Sequence, residues 1–399
     1  MRRSTEELLG ELLAGIEREL DSAVELRHRL HAVPELAHHE HQTAAMVAEM
    51  LPVGCTAVLD TGRIARVGPA EGASVAVRAE LDGLPIKERT GAPFRSEGPA
   101  MHACGHDVHM AALIALTRAA HAIADRLPAA LLAVFQPSEE AYPSGAEQLA
   151  RGELAELTLG AIVAAHIHPE LPWGTVALDR GAVNASYDSI EITVEGEPSH
   201  GAYPHLGRDP ILAISQIVVS LHAQIARRVD PHSSVVLSIG VLEAGTAENV
   251  IPERATARGS LRAHRPSDRL ALRELVREVV SGTASAHGCE GSVKLIAGEP
   301  ALENDPRIVG DAREMLPSAE LSAAAEWRSC GSDDFAFFGE LAPIAMGFVG
   351  LDGAPGFARR PLHHPELLPP DSAIGAIART QAVLYLAAAA RLAEQTHTS

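Results

Sequence analysis

At 399 residues, 46% of them apolar, the chain exceeds one ordinary domain and has material for sizeable buried cores, which rules out a disordered composition. Its formal charge of −19, from 33 basic and 52 acidic residues, argues against nucleic acid or an anionic membrane surface as the main partner, because both require basic patches. The scattered Cys55, Cys104, Cys289 and Cys330 do not resemble a disulfide framework, the charged N-terminal stretch lacks the apolar core of a secretion signal, and no uncharged apolar run is long enough to cross a bilayer. A cytoplasmic location is the resulting expectation.

In chain order, Ser4 with Glu7 forms a candidate capping box, and Leu8, Leu12, Ile16, Leu20 and Leu30 recur at helical spacing until Pro34. Short apolar runs at 74–79, 130–135 and 160–166 then alternate with helical stretches, one of them predicted from about Val108 to Ala124. Short, nearly continuous apolar strands separated by helices indicate an α/β sheet covered on both faces. The segment 185–298 has another rhythm. An alternating strand, a helix capped by Asp209 with Pro210 at its first position, two further strands, a helix from Ser267 to about His287 and a last strand give the order β-α-β-β-α-β. That order predicts a ferredoxin-like unit of residues 185–298, inserted into a discontinuous α/β domain of residues 1–184 and 299–399.

In open α/β sheets, sites form beyond the carboxyl ends of the strands. Here one apolar run leads into Glu80 and Asp82, a second through Gln136, Pro137 and Ser138 into Glu139 and Glu140, and a third into His166 and His168. Between the first two lies MHACGHDVHM, carrying His102, Cys104, His106, Asp107 and His109, and PLHHPE adds His363 and His364 near the C-terminus. Any one of these has an ordinary explanation, such as a solvated Glu pair or an inert buried Cys. Their shared position at strand ends is what points to a metal site. Cys104 and His106, two apart, would share one side of an extended backbone. Thiolate and imidazole suit Zn²⁺ and its neighbours, and carboxylates add affinity for harder ions such as Mn²⁺. Adjacent glutamates diverge, so one can bind metal while the other serves as general base, an arrangement suited to hydrolysis of a carbonyl compound.

At these residues the chain resembles the M20 peptidase family, in its aminoacylase, hippurate hydrolase and auxin-conjugate amidohydrolase branch. RAELDGLPIKE, MHACGHDVHMAAL, QPSEE, AHIHP, SHGAYPHLGRDPI, AENVIP and LHHP follow that branch's motifs in order over nearly the whole chain. The resemblance implies a zinc-peptidase-like α/β catalytic domain with the ferredoxin-like insertion as lid and dimerisation domain. It implies two divalent ions (Zn, Mn, Co or Ni) held by Cys104, His106, Glu140, His166 and His363, with Cys104 bridging. Glu139 would be general base, Asp82 would orient the site from outside the ligand set, and His200 would stabilise an oxyanion. Asn249 and Arg262 would hold the substrate. Three departures stand out: Glu80 where the branch has Asp, Asp333 in SDDFAFF where it has Glu, and the second histidine of LHHP. His363 keeps the branch's His-x-Pro spacing. The implied activity is hydrolysis of an N-acyl amino acid by a homodimer. A dipeptidase or N-acetyldiaminopimelate deacetylase is the alternative within the same chemistry, and a metal-binding scaffold without activity is a distant one.

Overall fold

The computed structural model describes residues 2–396, with side chains given from 5 to 393. The chain divides into two compact units. One runs to Gly181 and resumes over Glu303–Trp327 and from Phe337; the other comprises Ala182–Leu302 and Arg328–Ala336.

The larger unit begins with helix α1 (Arg2–Ala32), which starts ahead of Ser4. The capping box expected of Ser4 and Glu7 therefore does not open this helix, and the side chain of Ser4 lies outside the described residues. Helix α2 (His41–Met50) follows, then strands β1 (Cys55–Val58), β2 (Gly62–Val67) and β3 (Ser74–Glu80). Helix α3 (His106–His121), β4 (Ala130–Gln136), the short α4 (Gly145–Arg151), β5 (Leu159–Pro172) and β6 (Thr175–Ala177) complete the first passage. The sheet runs β1-β2-β4-β3-β5, then the strand Ile344–Asp352, β6 and the short strand Ser322–Ala323. From β4 through Ile344–Asp352 neighbouring strands are parallel, while β1, β2 and β6 pair antiparallel towards the edges. Every residue of β3 and β4 is buried, so both faces are covered, which explains why these strands read as unbroken apolar runs.

The C-terminal helix α8 (Ser372–Thr396) packs with α1 and α3 against this sheet. Its residues Ser372–Ala393 are long and apolar enough to cross a membrane by length and composition alone, but 83% of that window is buried inside the protein. Arg379 pairs with Glu17 and Glu320, and Arg391 with Asp311 of the helix Pro306–Met315. The segment is a core helix.

The second unit is a four-stranded antiparallel sheet with the order Val235–Ala244, Arg254–Ala263, Ser186–Glu195, Glu290–Ala297. It carries two helices, α5 (Pro210–Arg228) and α6 (Pro266–Ala286); the larger unit's Pro306–Met315 is α7. Chain order and sheet order give the ferredoxin-like pattern. Asp209 caps α5 as its sequence position suggests, its side chain accepting from the N–H groups of Ile211 and Leu212. One segment departs from the expected boundaries. Residues Arg328–Ala336 join this unit, because Ser329 donates to Val183 O, Ala185 donates to Ser329 O and Gly331 O, and Arg262 reaches Cys330 O.

Candidate metal centre

The strand ends deliver their residues as the alternating pattern suggests. Glu80 is the last residue of β3 and Gln136 the last of β4. His166 differs from its neighbours: it lies within β5, opposite Phe348, because β5 stays paired with Ile344–Asp352 beyond it.

Helix α3 begins at His106, two residues ahead of its predicted start, so Cys104 and His106 do not share an extended backbone. Their convergence comes from Gly105, at φ 85° in the left-handed region. A Cβ there would lie 2.4 Å from Ile167 Cδ1, so glycine serves both the turn and the close approach of β5.

The ligand atoms of Cys104, His106 and Glu140 lie within 4.8 Å of one another, as do those of Glu80, His106, His109 and His166. Within this set the hydrogen bonds assign different parts. His109 uses both ring nitrogens: Nδ1 bonds Glu80 Oε2 at 2.8 Å, and Nε2 accepts the Ile167 N–H at 3.1 Å. It is a brace between α3, β3 and β5, with no lone pair to offer a metal. His166 directs Nδ1 to the carbonyl of Ile167 at 2.7 Å, leaving Nε2 3.5 Å from Cys104 Sγ. Burial, with His109 and His106 nearby, holds His166 well below the ordinary histidine range, so its ring is neutral and suited to metal. His106 Nδ1 bonds Asp82 O at 2.8 Å, and its buried Nε2 has no hydrogen-bond partner.

Burial opposes a charge on His106, but Glu80, Asp82 and Glu140 outweigh it and hold the imidazolium up to about 10. That much concentrated negative charge is what a bound dication would neutralise, displacing the proton. The donor atoms present therefore fit a metal: a thiol, imidazole nitrogens and carboxylates converge, and two of them, His106 Nε2 and Glu140 Oε1, are buried without a hydrogen bond.

Asp82 stands behind these groups. Its Oδ2 accepts the Glu140 N–H at 2.9 Å and its Oδ1 lies 3.5 Å from His106 Nδ1. Burial would raise its carboxyl, yet the bonds from His106 and the backbone of Glu140 and Glu139 hold it below its usual value. Glu139 reaches to 3.8 Å from His106 Nε2. His363, at φ 64°, donates its N–H to Ala103 O at 2.8 Å and places Nε2 3.2 Å from Glu140 Oε1. His364 instead accepts the Glu366 N–H on its own Nδ1 at 3.1 Å.

The family model for peptidase family M20/M25/M40 matches residues 76–392. The chain belongs to this family. Similar M20 relatives include an N-acetyl-L-cysteine deacetylase of Bacillus subtilis, 33% identical over 91% of this chain and 86% of its own length. An N-acetyldiaminopimelate deacetylase of Bacillus licheniformis is 33% identical over 92% of this chain and 98% of its own. Among solved structures, a Bacillus subtilis protein described as a dinuclear metal-binding peptidase of the M20 family superposes with a TM-score of 0.82 at 29% identity. It covers 93% of this chain and 98% of its own. This M20 chain is accordingly a metal-dependent amidohydrolase with a centre for two metal ions.

The two M20 departures in the larger unit and its neighbour have local accounts. Glu80 is paired with Arg78 and His109, so its longer arm spans to the brace. Asp333 Oδ1 accepts the Phe335 N–H at 2.8 Å. In the second unit, His200 lies on a short ladder opposite Val250, and Asn249 O accepts the Gly201 N–H at 2.7 Å, so these two come together. Arg262 sits elsewhere, on the four-stranded sheet, its guanidinium 5.0 Å from the Tyr187 ring and bonded to Cys330 O at 2.9 Å.

Sequence reading passed over the groups that secure the start of α3. Arg27 Nε and His31 Nδ1 each meet Asp107 Oδ2 at 3.0 Å, and His31 Nε2 meets Glu88 Oε1 at 3.1 Å, all buried. Burial works against the His31 charge, but Asp107 and Glu88 hold it at about 9. The available signal was the four-residue spacing of Arg27 and His31, which puts both on one face of α1. Beside His166, Trp327 packs on Phe348 at 4.5 Å and on His168 at 4.8 Å, an aromatic wall on the same edge.

Proposed function

We propose that this chain removes a small acyl group, acetyl above all, from the amino group of an amino acid. The observation carrying this is the pairing of adjacent glutamates with different surroundings. Glu140 is tied to Asp82 and lies among the ligand atoms, whereas Glu139 approaches His106 at 3.8 Å without belonging to that cluster. Cys104, His106, Glu140, His166 and His363 are assigned as the metal ligands, and Asp82 as the residue that orients Glu140 and His106. Two bound divalent ions would supply Lewis-acid polarisation of the amide carbonyl. Glu139 takes the proton of the attacking water and passes it to the leaving nitrogen.

From the second unit, His200 is assigned to oxyanion stabilisation. Its Nδ1 accepts the Ala202 N–H at 3.0 Å, which puts the ring proton on the exposed Nε2, the donor such a role requires. Asn249 and Arg262 are assigned to holding the substrate. The deacetylase relatives favour an acetyl group, in line with the N-acetyldiaminopimelate deacetylase alternative, over the benzoyl or indole-acetyl groups of the resembling branch.

The test is amino-acid release from N-acetyl, N-benzoyl, N-lauroyl and indole-acetyl amino acids and from dipeptides, using chelated protein with Zn²⁺, Mn²⁺ or Co²⁺ restored. Metal-dependent release is expected, fastest from acetyl substrates by roughly tenfold or more. Release from dipeptides alone would replace the proposal with a dipeptidase; full metal loading with no release from any substrate would leave the scaffold reading.

The same reading includes a cytoplasmic homodimer formed through the second unit. Helix α5 leaves Leu212 57% and Val219 62% exposed, seven residues apart on one face. A solution mass of two chains is expected by light scattering; a mass of one chain would remove this part.

A further inference from the structure

Glu40 belongs to none of the motifs that carry the chemistry, yet its side chain is fully buried. It stands at the N-cap position of α2 but makes no capping bond there. Its carboxylate turns instead to the loop bearing the two glutamates. Oε1 accepts the Ser138 N–H at 2.8 Å and the Ser138 hydroxyl at 3.3 Å, while Oε2 accepts the Thr61 hydroxyl at 2.8 Å.

Ser138 is in the left-handed region at φ 53°, as is His38 at φ 66°. A non-glycine residue there is strained and persists only where its surroundings hold it. His38 contributes its N–H to Ser138 Oγ at 2.9 Å, and its Nδ1 lies 2.9 Å from the same oxygen. On the other side, Ser138 O accepts the Gly145 N–H at 2.9 Å. A Cβ on Gly145 would fall 1.8 Å from Pro137 O, so the chain can close that tightly only with glycine. The loop is thus held by two separate buried carboxylates, Glu40 at Ser138 on the side entering Glu139 and Asp82 at the backbone of Glu139 and Glu140.

We propose that Glu40 is a positioning residue that aims Glu139, holding Ser138 in its left-handed conformation by charge-assisted bonds to its backbone and hydroxyl. This rests on Glu139 being the general base. Because Asp82 anchors the Glu140 backbone independently, loss of Glu40 frees the turn at Ser138 that leads into Glu139, shifting the base side chain while sparing the metal.

The experiment measures kcat, KM, metal content and thermal stability for Glu40→Ala, Glu40→Gln and Thr61→Val beside Glu139→Gln. Glu40→Ala is expected to lower kcat roughly 10- to 100-fold, the scale of an ångström-level misplacement, with KM and two ions per chain retained. Glu40→Gln restores most of the rate, since its amide oxygen still accepts the Ser138 N–H and its NH₂ can meet Thr61. An unchanged kcat in Glu40→Ala, a rate that falls only in step with lost metal, or a Gln variant as slow as Ala overturns the proposal. Should Glu40→Ala not fold, Thr61→Val decides: a several-fold lower kcat with metal retained supports it, and an unaltered kcat overturns it. Full activity in Glu139→Gln would remove the base assignment and this inference with it. An inactive Glu139→Gln beside a fully active Glu40→Ala would remove the inference alone.

Discussion

Replacing Glu139 by Gln lowers kcat by about 10²- to 10⁴-fold, the usual contribution of a general acid–base group, while the protein keeps its full complement of metal. Two features of the loop produce that separation. The ligand atom of Glu140 lies with those of Cys104 and His106, and its backbone N–H is fixed by Asp82. Glu139 is 14% exposed and faces the same His106 ring from outside that trio. Glutamine keeps the size and shape of Glu139 but has no carboxylate to take a proton, so binding is preserved and only the transfer of a proton is lost. Metal analysis together with steady-state kinetics checks it. If the variant loses an ion along with its activity, Glu139 is a ligand; if it stays active, the base is another group.

The paired histidines near the C-terminus provide a second large effect. His363→Ala should lose metal and fall in activity by more than the roughly 10- to 100-fold typical of changes outside a ligand set, whereas His364→Ala should retain both. The basis is directional. His363 is tied through its N–H to Ala103, the residue before Cys104, and presents Nε2 to Glu140 Oε1 at 3.2 Å. His364 spends its Nδ1 on the N–H of Glu366 within its own turn. Metal content of the two purified variants gives the answer directly, and the reverse result would transfer the ligand to His364.

Much of this centre was legible because strand ends and apolar runs are local features. Glu80, Asp82, Glu139 and Glu140 follow their runs immediately, so the sheet alone brings them to one edge. The β-α-β-β-α-β rhythm was equally plain, since alternation and helix spacing are properties of single elements. What escaped were relations between distant segments. Nothing in the local pattern told that Glu40 reaches Ser138, or that Arg27 and His31 grip Asp107, because each contact spans tens of residues and depends on how α1 and α2 meet α3 and β4. The turn at Gly105 was misread for a related reason. Glycine permits a left-handed backbone but does not announce one, and the close approach of Ile167 that makes it necessary exists only after folding.

The composition of α8 bears on how the polypeptide is sorted while it is being made. Before the core closes, Ser372–Ala393 would be as attractive to the insertion machinery of a membrane as to its own protein, were apolarity the only criterion. Arg379, inside that stretch, tips that competition, whereas Arg391 lies two residues from its end, where an arginine costs a bilayer little. An arginine near the middle of an inserting helix carries a penalty of about 2.5–3.5 kcal/mol on biological insertion scales. In the folded chain the same side chains find carboxylates at Glu17, Glu320 and Asp311, on parts of the larger unit that precede them in synthesis. Arg379 thus makes the helix costly to a bilayer, and the acidic groups that it and Arg391 meet give both cations a place in the folded chain.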